Sequence, residues 1–410
     1  MSQELRQAVG ELIPVSALPC RGKTVLVRVD YNVPMADGVI LDDTRITATL
    51  PTLNLLLEGG AKVVIATHLG RPKGKVVDEL SVAPVAGRLS DLLGRRIPVA
   101  GDVAGSSARR LVEQMQPGDL LMLENVRFEA GEESNDPAFA AALASLADCY
   151  VNDAFATAHR AHASTAGVAR LLPSAAGLLM MREIEVLQKV LTEPARPFLA
   201  IVGGAKVGSK VGLLRSLLGK VDLLWVVGAM AMPFFVALGK SSGSYPVEEA
   251  ELQMAKELLE AAREAGATLR LPVDCRVAAS MDAPETMRAV AWDAIPTDMM
   301  SVDIGPETLA RLLSDCATAR TVVWNGPPGV YEVEQFSHGT TALATGLSQM
   351  EGAAVVVGGG DAVAAVERAG VASRMHHVST GGGATLEFME KLTLPGIEAL
   401  RGAPAEPLVR

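Results

Sequence analysis

The sequence predicts an α/β protein made of two doubly wound parallel-sheet domains of similar size, joined by a helix, with a cleft between them. Strand and helix patterns alternate through the first half of the chain, and the same alternation restarts in the second half. Between the halves lies one longer helical stretch, Leu178–Leu191, after which Pro194 and Pro197 end the pattern. At 410 residues the chain is also longer than one ordinary core supports, so at least two domains are expected.

The composition narrows the class of protein. Hydrophobic residues make up 49% of the chain and glycine occurs 39 times, which suits a buried, turn-rich α/β protein, while 4% aromatic residues predict aliphatic cores. The net charge of −10 argues against a nucleic-acid partner. The four scattered cysteines, without a C-x-x-C pair, indicate a reducing compartment and no structural zinc. The polar start MSQELRQAVG lacks the apolar segment of a signal peptide, so a cytoplasmic protein is expected.

One uncharged run, Leu223–Gly239, has to be weighed as a membrane span. It is short for a span, and Gly228 and Pro233 interrupt it. A buried strand, a turn and the start of a buried helix form the better interpretation, so no membrane partner is expected.

In the first half, β-branched apolar runs predict buried strands, and apolar residues at helical spacing predict the covering helices. The predicted strands are Thr24–Val29, Lys62–Thr67, Asp119–Leu123 and Cys149–Asn152. The predicted helices are Thr44–Glu58, ended by Gly59-Gly60, then Val82–Leu93 and Pro137–Ala147. This alternation predicts a parallel sheet covered on both faces.

The second half repeats the same rhythm. Its predicted strands are Phe198–Val202, Leu223–Val227, Leu269–Pro272, Thr321–Trp324 and Ala354–Val357, with helices at Glu248–Glu264 and Pro306–Leu313. We therefore expect an N-terminal domain over 1–177, a connecting helix over 178–193 and a C-terminal domain over 194–388. A tail over 389–410 is expected to return to the N-terminal domain, with Gly402–Arg410 as a loose end.

Polar residues follow each predicted strand of the first half. They are Asp30 to Asn32, His68 to Arg71, Arg127, and Asp153 with His159 to His162. Because the carboxyl ends of parallel strands converge on one crevice, these groups are expected to form a basic bowl for a small, multiply anionic acid. Solvated loop charges are the alternative for any single arginine, but four recurrences at equivalent positions argue against it for the group.

Glycines and lysines follow the first strand of the second half instead. The run Gly203–Lys210 carries Lys206 and Lys210 four residues apart, which suggests one face of the following helix and a nucleotide polyphosphate as ligand. It is not a Walker A loop. A turn that needs positive φ is the alternative explanation for such glycines.

The run Gly358-Gly359-Gly360 breaks a buried strand, and Asp361 follows at the expected helix N-cap. A strand that turns through glycines into a helix presents bare N–H groups to an anion, and Asp361 adds an oxygen ligand suited to Mg²⁺. Taken alone, the motif is better explained as a tight turn with a capping aspartate. Two domains that each hold one anionic partner nevertheless favour phosphoryl transfer, which needs mainly positioning and positive charge.

Taken together, several long motifs resemble the phosphoglycerate kinase family over nearly the whole chain. They are RVDYNVP at Arg28–Pro34, DDTRI at Asp42–Ile46, THLGRPKG at Thr67–Gly74, LENVRF at Leu123–Phe128, YVNDAFATAHRAHAST at Tyr150–Thr165, GGAKVGSKV at Gly203–Val211, VVWNGPPGVYE at Val322–Glu332, GGGDA at Gly358–Ala362 and HVSTGGGATLEF at His377–Phe388. The resemblance implies reversible phosphoryl transfer between 1,3-bisphosphoglycerate and Mg-ADP, giving 3-phosphoglycerate and ATP in glycolysis and gluconeogenesis. We expect a monomer that transfers the group directly, without a covalent enzyme intermediate. Because two domains hold the two substrates, hinge bending around Leu178–Leu191 is expected to bring the substrates together.

The resemblance assigns roles to individual positions. The acid-binding residues it implies are Asp30, Asn32, Arg45, His68, Leu69, Gly70, Arg71, Arg127 and Arg160. The nucleotide-binding residues are Lys206, Lys210, Ser301, Asn325, Glu332, Gly359, Gly360, Asp361 and Ala362, with Asp361 as the Mg²⁺ ligand. The groups that face the transferring phosphoryl group are Arg45, Lys206 and the backbone around Gly381, Gly382 and Gly383.

Four positions depart from the family pattern, and none of them removes a charge. Ala362 stands where Ser or Thr is usual, Gly208 where Ser is common, Pro328 where a non-proline is usual, and Ser301 where many members have Gly. Without the Ala362 hydroxyl we expect weaker nucleotide binding with activity retained.

Two alternative functions would require other sequence features. A nicotinamide-linked dehydrogenase would need the dinucleotide fingerprint in its first βαβ unit, and RVDYNVP is not that. A regulatory protein that only binds phospho-metabolites does not need charges directed at a transferring phosphoryl group. The presence of Arg45 and Lys206 therefore argues against this function.

Overall fold

The computed structural model describes residues 12–402 and contains two compact units. Of the described residues, the N-terminal unit comprises 12–185 and 391–402, and the C-terminal unit comprises Val186–Glu390. The expectations for the first residues and for the loose end beyond Gly402 lie outside the described residues. Within 12–402, no helix is long and apolar enough to cross a membrane.

The N-terminal unit is built on a parallel sheet of five strands in the order β5-β4-β1-β6-β7. The strands of this sheet are β1 (Thr24–Arg28), β4 (Lys62–Ala66), β5 (Leu120–Met122), β6 (Cys149–Asn152) and β7 (Ser174–Ala176). Two further strands, β2 (Met35–Ala36) and β3 (Val39–Ile40), form a separate hairpin. The helices of this unit are α1 (Thr44–Thr47), α2 (Leu50–Glu58), α3 (Ala83–Leu93), α4 (Ser106–Gln114), α5 (Pro137–Ala144) and the first part of α6 (Leu178–Thr192). Aliphatic side chains such as Val27, Val63 and Ile65 fill the core.

The C-terminal unit has a parallel sheet of six strands in the order β10-β9-β8-β14-β15-β16 and an antiparallel sheet in the order β12-β11-β13. The strands are β8 (Phe198–Val202), β9 (Leu223–Val226), β10 (Thr268–Arg270), β11 (Asp274–Ala278), β12 (Arg288–Ala291), β13 (Met300–Ile304), β14 (Thr321–Asn325), β15 (Ala354–Gly358) and β16 (His377–Val378). The helices are α7 (Val211–Leu218), α8 (Met232–Ala237), α9 (Glu249–Glu264), α10 (Pro306–Thr318), α11 (His338–Ser348), α12 (Gly360–Arg368) and α13 (Gly383–Lys391). Helix α14 (Pro395–Arg401) belongs to the N-terminal unit, where the Gly396 amide donates to the Ala158 carbonyl.

The strand order reverses once in each parallel sheet. In the N-terminal unit the reversal lies between β1 and β6, and in the C-terminal unit between β8 and β14. Connections on the two sides of such a point leave in opposite directions, so a crevice opens at the carboxyl ends of the two strands. Each unit therefore has one topologically defined place for a ligand.

The α/β class with two parallel sheets is confirmed, and the differences in detail have local causes. The single helix predicted over Thr44–Glu58 is two helices, because Pro51 in the first turn of α2 lacks the N–H that a continuous helix needs. Two strands of the structure are not predicted from the sequence: β7, with the sequence Ser-Ala-Ala, and the edge strand β12. Both contain few of the β-branched residues by which strands are recognised. The uncharged run Leu223–Gly239 folds as β9, a turn and α8.

Helix α6 begins against a buried carboxyl group. Asp153 accepts a hydrogen bond from the Met180 amide at 3.1 Å, and burial raises the pKa of Asp153 to about 6. Gly177 precedes the helix, and a Cβ there would lie 2.1 Å from the Asp153 Oδ1 atom. The glycine therefore gives the carboxyl group access to the helix N-terminus.

Asp153→Asn should change how the stability of the protein depends on pH. Since the carboxyl pKa is higher in the folded state than in the unfolded state, wild-type stability falls as pH rises through this range. The free energy of unfolding of the variant should gain about 2 kcal/mol relative to wild type between about pH 4.5 and about pH 7.5. Denaturant titrations of both proteins at the two pH values measure this difference, and a difference that does not vary with pH would contradict the assignment.

Candidate functional site

In the N-terminal unit, polar side chains follow the carboxyl ends of four neighbouring strands, β5, β4, β1 and β6. Asp30 follows β1 and is its central acceptor. Its Oδ2 atom accepts from Arg45 Nη1 at 2.7 Å, and its Oδ1 atom accepts from the Asn32 amide at 3.1 Å. Burial raises the pKa of Asp30, but the interactions of its carboxylate with His68, Arg45 and Arg28 outweigh that effect and lower the pKa. The carboxylate thus stays ionised and holds Arg45 in place.

The loop after β4 is fixed by side chains from its neighbours. The Gly70 amide donates to Asn32 Oδ1 at 2.8 Å, and the Gly70 carbonyl accepts from Arg127 Nη1 at 2.7 Å. Asn125 Nδ2 donates to the Leu69 carbonyl at 2.7 Å. Residues that follow three different strands therefore meet at Leu69 and Gly70, as the strand-end argument predicts.

Two further arginines of the predicted acid site differ in their surroundings. Arg71 is exposed and makes no hydrogen bond or ion pair with any residue in 12–402. Arg160 donates from Nε to His159 at 3.2 Å. Burial lowers the pKa of Arg127, and the charge of Arg160 adds to that effect, so these two guanidinium groups interact. The bowl thus offers an excess of positive charge that an acid with several negative charges can neutralise.

Sequence reasoning missed a buried layer behind this bowl. Arg28 is 1% exposed and Glu132 is 0% exposed, and both are linked to Ser164 by hydrogen bonds. The signal was an arginine inside the otherwise apolar strand TVLVRV, because charged residues are almost never fully buried unless they are paired.

In the C-terminal unit, the glycine-rich loops follow β8, β14 and β15. Lys210 Nζ donates to the Gly203 carbonyl at 2.6 Å and lies 3.3 Å from the Asn325 carbonyl, so it ties the ends of β8 and β14 together. Burial lowers the pKa of Lys210 to about 8, while the charge of Asp361 opposes that shift. Gly326 has φ +87°, and a Cβ there would lie 2.5 Å from Lys210 Nζ. The tie therefore depends on glycine at this turn.

The expectation that Lys206 and Lys210 share a helix face is wrong. Both residues precede α7. Lys206 is the N-cap of a 3₁₀ turn over Val207–Ser209, and Lys210, with a non-helical φ of −130°, is the N-cap of α7, so the helix starts only after it. Lys210 points into the strand ends, whereas Lys206 is exposed and makes no hydrogen bond or ion pair to the described residues. The two ammonium groups thus differ in environment, and the exposed one is available to a ligand.

The N-cap expected at Asp361 is also corrected. Gly359, with φ +88°, is the N-cap of α12, and Asp361 lies in the first helical turn. A Cβ at Gly359 would lie 2.7 Å from Asn325 Nδ2, so close packing on Asn325 requires the glycine. Asp361 is exposed and makes no hydrogen bond or ion pair within residues 12–402, which leaves its carboxylate at the helix start available to a cation.

Asn325 and Ala362 lie beside this helix start. Asn325 is buried and donates to the Gly358 carbonyl at 2.7 Å, while its Oδ1 atom has no partner in the described part of the chain. Ala362 is fully buried and packs in the hydrophobic core. Gly208 is different, since a Cβ there would meet only the Met254 sulfur at 3.8 Å, so the fold accepts a side chain at that position.

A cavity of about 220 Å³ opens beside these loops. Its lining combines small residues with the carboxyl groups of Asp303, Glu332 and Asp361: Gly204, Ala205, Gly228, Ala229, Ser301, Val302, Asp303, Pro327, Pro328, Gly329, Val330, Glu332 and Asp361. Glu332 is exposed. Gly381 and Gly382, also predicted for the site, lie in the turn before α13, where the Gly381 amide donates to Ser379 Oγ at 3.2 Å.

Comparisons with known proteins agree on one family. The family model described as phosphoglycerate kinase matches residues 15–391. A phosphoglycerate kinase from Moorella thermoacetica is 51% identical over 383 residues, which cover 93% of this chain and 97% of that protein. The solved structure of phosphoglycerate kinase from Coxiella burnetii is similar with a TM-score of 0.85 and 42% identity, over 95% of this chain and 98% of that one. The crystal structure of the enzyme from Pyrococcus horikoshii gives a TM-score of 0.80 and 33% identity over the same shares.

Proposed function

Because the chain belongs to the phosphoglycerate kinase family, we propose that its phosphoglycerate kinase activity in glycolysis and gluconeogenesis is divided between the two units. The N-terminal unit holds 3-phosphoglycerate or 1,3-bisphosphoglycerate, and the C-terminal unit holds ADP or ATP. One observation carries this division: guanidinium groups gather at one switch point, while glycine loops with a lysine gather at the other. Because the family is glycolytic, we propose that the enzyme is cytoplasmic. We also propose that it acts as a monomer.

Acid binding is assigned to the residues that meet at the ends of β1, β4, β5 and β6. Guanidinium forks bind carboxylate and phosphate oxygens two at a time. The residues proposed to contact the acid are Asp30, Asn32, Arg45, His68, Leu69, Gly70, Arg71, Arg127 and Arg160. Asp30 cannot attract an anion itself, so its part is to hold Arg45 through the 2.7 Å ion pair.

Nucleotide binding is assigned to the cavity and the helix start in the C-terminal unit. The residues proposed to contact the nucleotide are Lys206, Lys210, Ser301, Asn325, Glu332, Gly359, Gly360, Asp361 and Ala362. Lys210 already satisfies carbonyl groups, so its ammonium reaches a phosphate only by releasing some of those bonds. Ala362 has its side chain in the core, so it contributes its backbone N–H.

The residues fit Mg²⁺ bound together with the nucleotide. Mg²⁺ in kinases is typically held by one or two carboxylates, the substrate phosphates and several waters. Asp361 supplies one exposed carboxylate, and no cluster of three or more metal-ligating side chains exists within residues 12–402. When bound, the ion neutralises negative charge on the nucleotide phosphates.

The proposed reaction is a direct in-line transfer. The bond between phosphorus and the carboxyl oxygen of 1,3-bisphosphoglycerate breaks as phosphorus bonds to a terminal phosphate oxygen of ADP, so no proton has to move. Arg45 from one unit and Lys206 from the other offset charge on the transferring oxygens, assisted by the backbone at Gly381, Gly382 and Gly383. The lack of a described partner for Lys206 supports this role, because its charge is free for the substrate.

Arg45→Ala should lower kcat by a factor on the order of 10³, because losing a charge clamp in phosphoryl transfer has effects of this size. Glu332→Ala should instead raise the KM for nucleotide by about tenfold with kcat largely unchanged. The Glu332 side chain is proposed to bind the nucleotide equally well in the ground state and in the transition state. Arg110→Ala and Glu334→Ala, both exposed, are the matched controls and should leave both constants unchanged. Steady-state assays with 3-phosphoglycerate and Mg-ATP measure these values, and equal effects of the first two variants on kcat would reject the division of roles.

Direct transfer also requires the bound acid and nucleotide to touch. We therefore propose that the units close by bending around α6, driven by binding of both substrates. The radius of gyration from small-angle scattering should fall when 3-phosphoglycerate and a non-hydrolysable Mg-ATP analogue are both saturating. Each ligand alone serves as the control, and unchanged dimensions with both ligands would count against closure.

A further inference from the structure

His68 lies against the buried layer behind the acid site. Arg28 Nη2 lies 3.2 Å from His68 Nδ1. A guanidinium group only donates hydrogen bonds, so Nδ1 has to accept, and a neutral ring then carries its proton on Nε2. No atom in residues 12–402 forms a hydrogen bond with Nε2, so this N–H is left for a ligand.

A second neighbour competes for the same ring nitrogen. Asp30 Oδ1 lies 3.7 Å from His68 Nδ1 and, as a carboxylate, favours a proton on Nδ1. If that tautomer formed, Nε2 would become an acceptor and would repel a carboxylate or phosphate. Which nitrogen of the His68 ring carries the proton therefore depends on how firmly Arg28 is held.

Arg28 is held from behind by a hydrogen-bonded chain. Its Nε donates to Ser164 Oγ at 2.7 Å, and that hydroxyl donates to Glu132 Oε1 at 2.5 Å. The Ser164 amide donates to the other oxygen of the same carboxylate at 2.9 Å. Because the serine hydroxyl has one proton, accepting from Arg28 and donating to Glu132 is the arrangement that satisfies all three groups. Glu132 also lies 3.7 Å from His162 Nδ1.

We propose that Arg28, anchored by Ser164 and Glu132, is a positioning residue that keeps His68 as the Nε2–H tautomer and so sets the affinity of the enzyme for its acid substrate. The link to affinity depends on the proposed function, because it requires His68 to contact the acid. The tautomer itself follows from the contacts of the N-terminal unit alone.

The electrostatic surroundings keep the ring neutral. Burial lowers the pKa of His68 well below its ordinary value. The charged groups around the ring are Asp30, which raises this pKa, and Arg28, Arg127 and Arg45, which lower it. At neutral pH the choice is therefore between two neutral tautomers, which nitrogen chemical shifts distinguish directly.

Ser164→Ala tests the proposal. In ¹⁵N-histidine-labelled protein, a long-range ¹H–¹⁵N spectrum should show His68 as the Nε2–H tautomer in wild type and a shift toward Nδ1–H in the variant. The KM for 3-phosphoglycerate should rise about tenfold with kcat and the KM for nucleotide nearly unchanged, as expected for one lost hydrogen bond to a charged group. His68→Gln assigns the resonance among the six histidines.

The matched control is Ser174→Ala, which removes a buried hydroxyl of the same unit whose hydrogen-bond partners within residues 12–402 are the Ala169 and Leu172 carbonyls. It should change neither the tautomer nor the KM. Arg28→Lys is a second variant in case Ser164→Ala does not fold, because lysine keeps the charge but lacks the fork that reaches Ser164 and His68 together. It should also shift the tautomer.

An unchanged His68 tautomer in both variants would overturn the proposal. A tautomer shift without a change in the KM for 3-phosphoglycerate would overturn the link to acid binding. Failure of the proposed acid site would look different, since wild type would then show the Nε2–H tautomer while its His68 signals ignored added 3-phosphoglycerate.

Discussion

In each unit, two neighbouring strands pair in parallel while their connections leave in opposite directions. The rest of this structure follows from that constraint. β1 pairs with β6, and β8 pairs with β14, each in parallel register. Loops that are distant in sequence therefore emerge side by side, and no connection crosses the opening between them. The chemistry of each unit is then decided by which residues the sequence places immediately after these strands. Aspartate and asparagine follow β1, and aspartate, then histidine and arginine, follow β6. Glycine follows β8 and β14, with lysine in the loop after β8.

The two proposed ligand sites differ in how they would hold an anion. The N-terminal unit uses full charges and has to hold them apart with carboxylates, so Asp30 restrains Arg45 and Glu132 lies behind Arg28 through Ser164. The C-terminal unit uses bare backbone and helix starts, where glycine permits the close approach. Lys210 of this unit is bound to carbonyl groups, so the proposed nucleotide would have to compete with them for the ammonium group. A proline at Pro328 in the cavity wall further limits how that wall can rearrange.

Much of this arrangement was predictable from the sequence, and what was missed has physical reasons. Apolar runs with β-branched residues predict buried strands such as Phe198–Val202, and the strand-end rule predicts that Asp30, Asn32 and Gly70 lie close together, as they do in the structure. Strand β7 was missed because Ser-Ala-Ala has no such signal. The position of Lys210 depends on where α7 begins, and the spacing of the two lysines does not reveal that the helix starts only after Lys210. The Arg28–Ser164–Glu132 chain joins residues up to 136 positions apart, which local patterns cannot detect.

Hydrogen exchange with each ligand separately tests the division of anions most directly. With 3-phosphoglycerate alone, protection should appear in the peptides after β1 and β4, around Asn32 and Gly70, and not after β8 or β15. With Mg-ADP alone, protection should appear over Gly203–Lys210 and at the start of α12. Protection of the C-terminal glycine loops by 3-phosphoglycerate, with none near Gly70, would contradict the account.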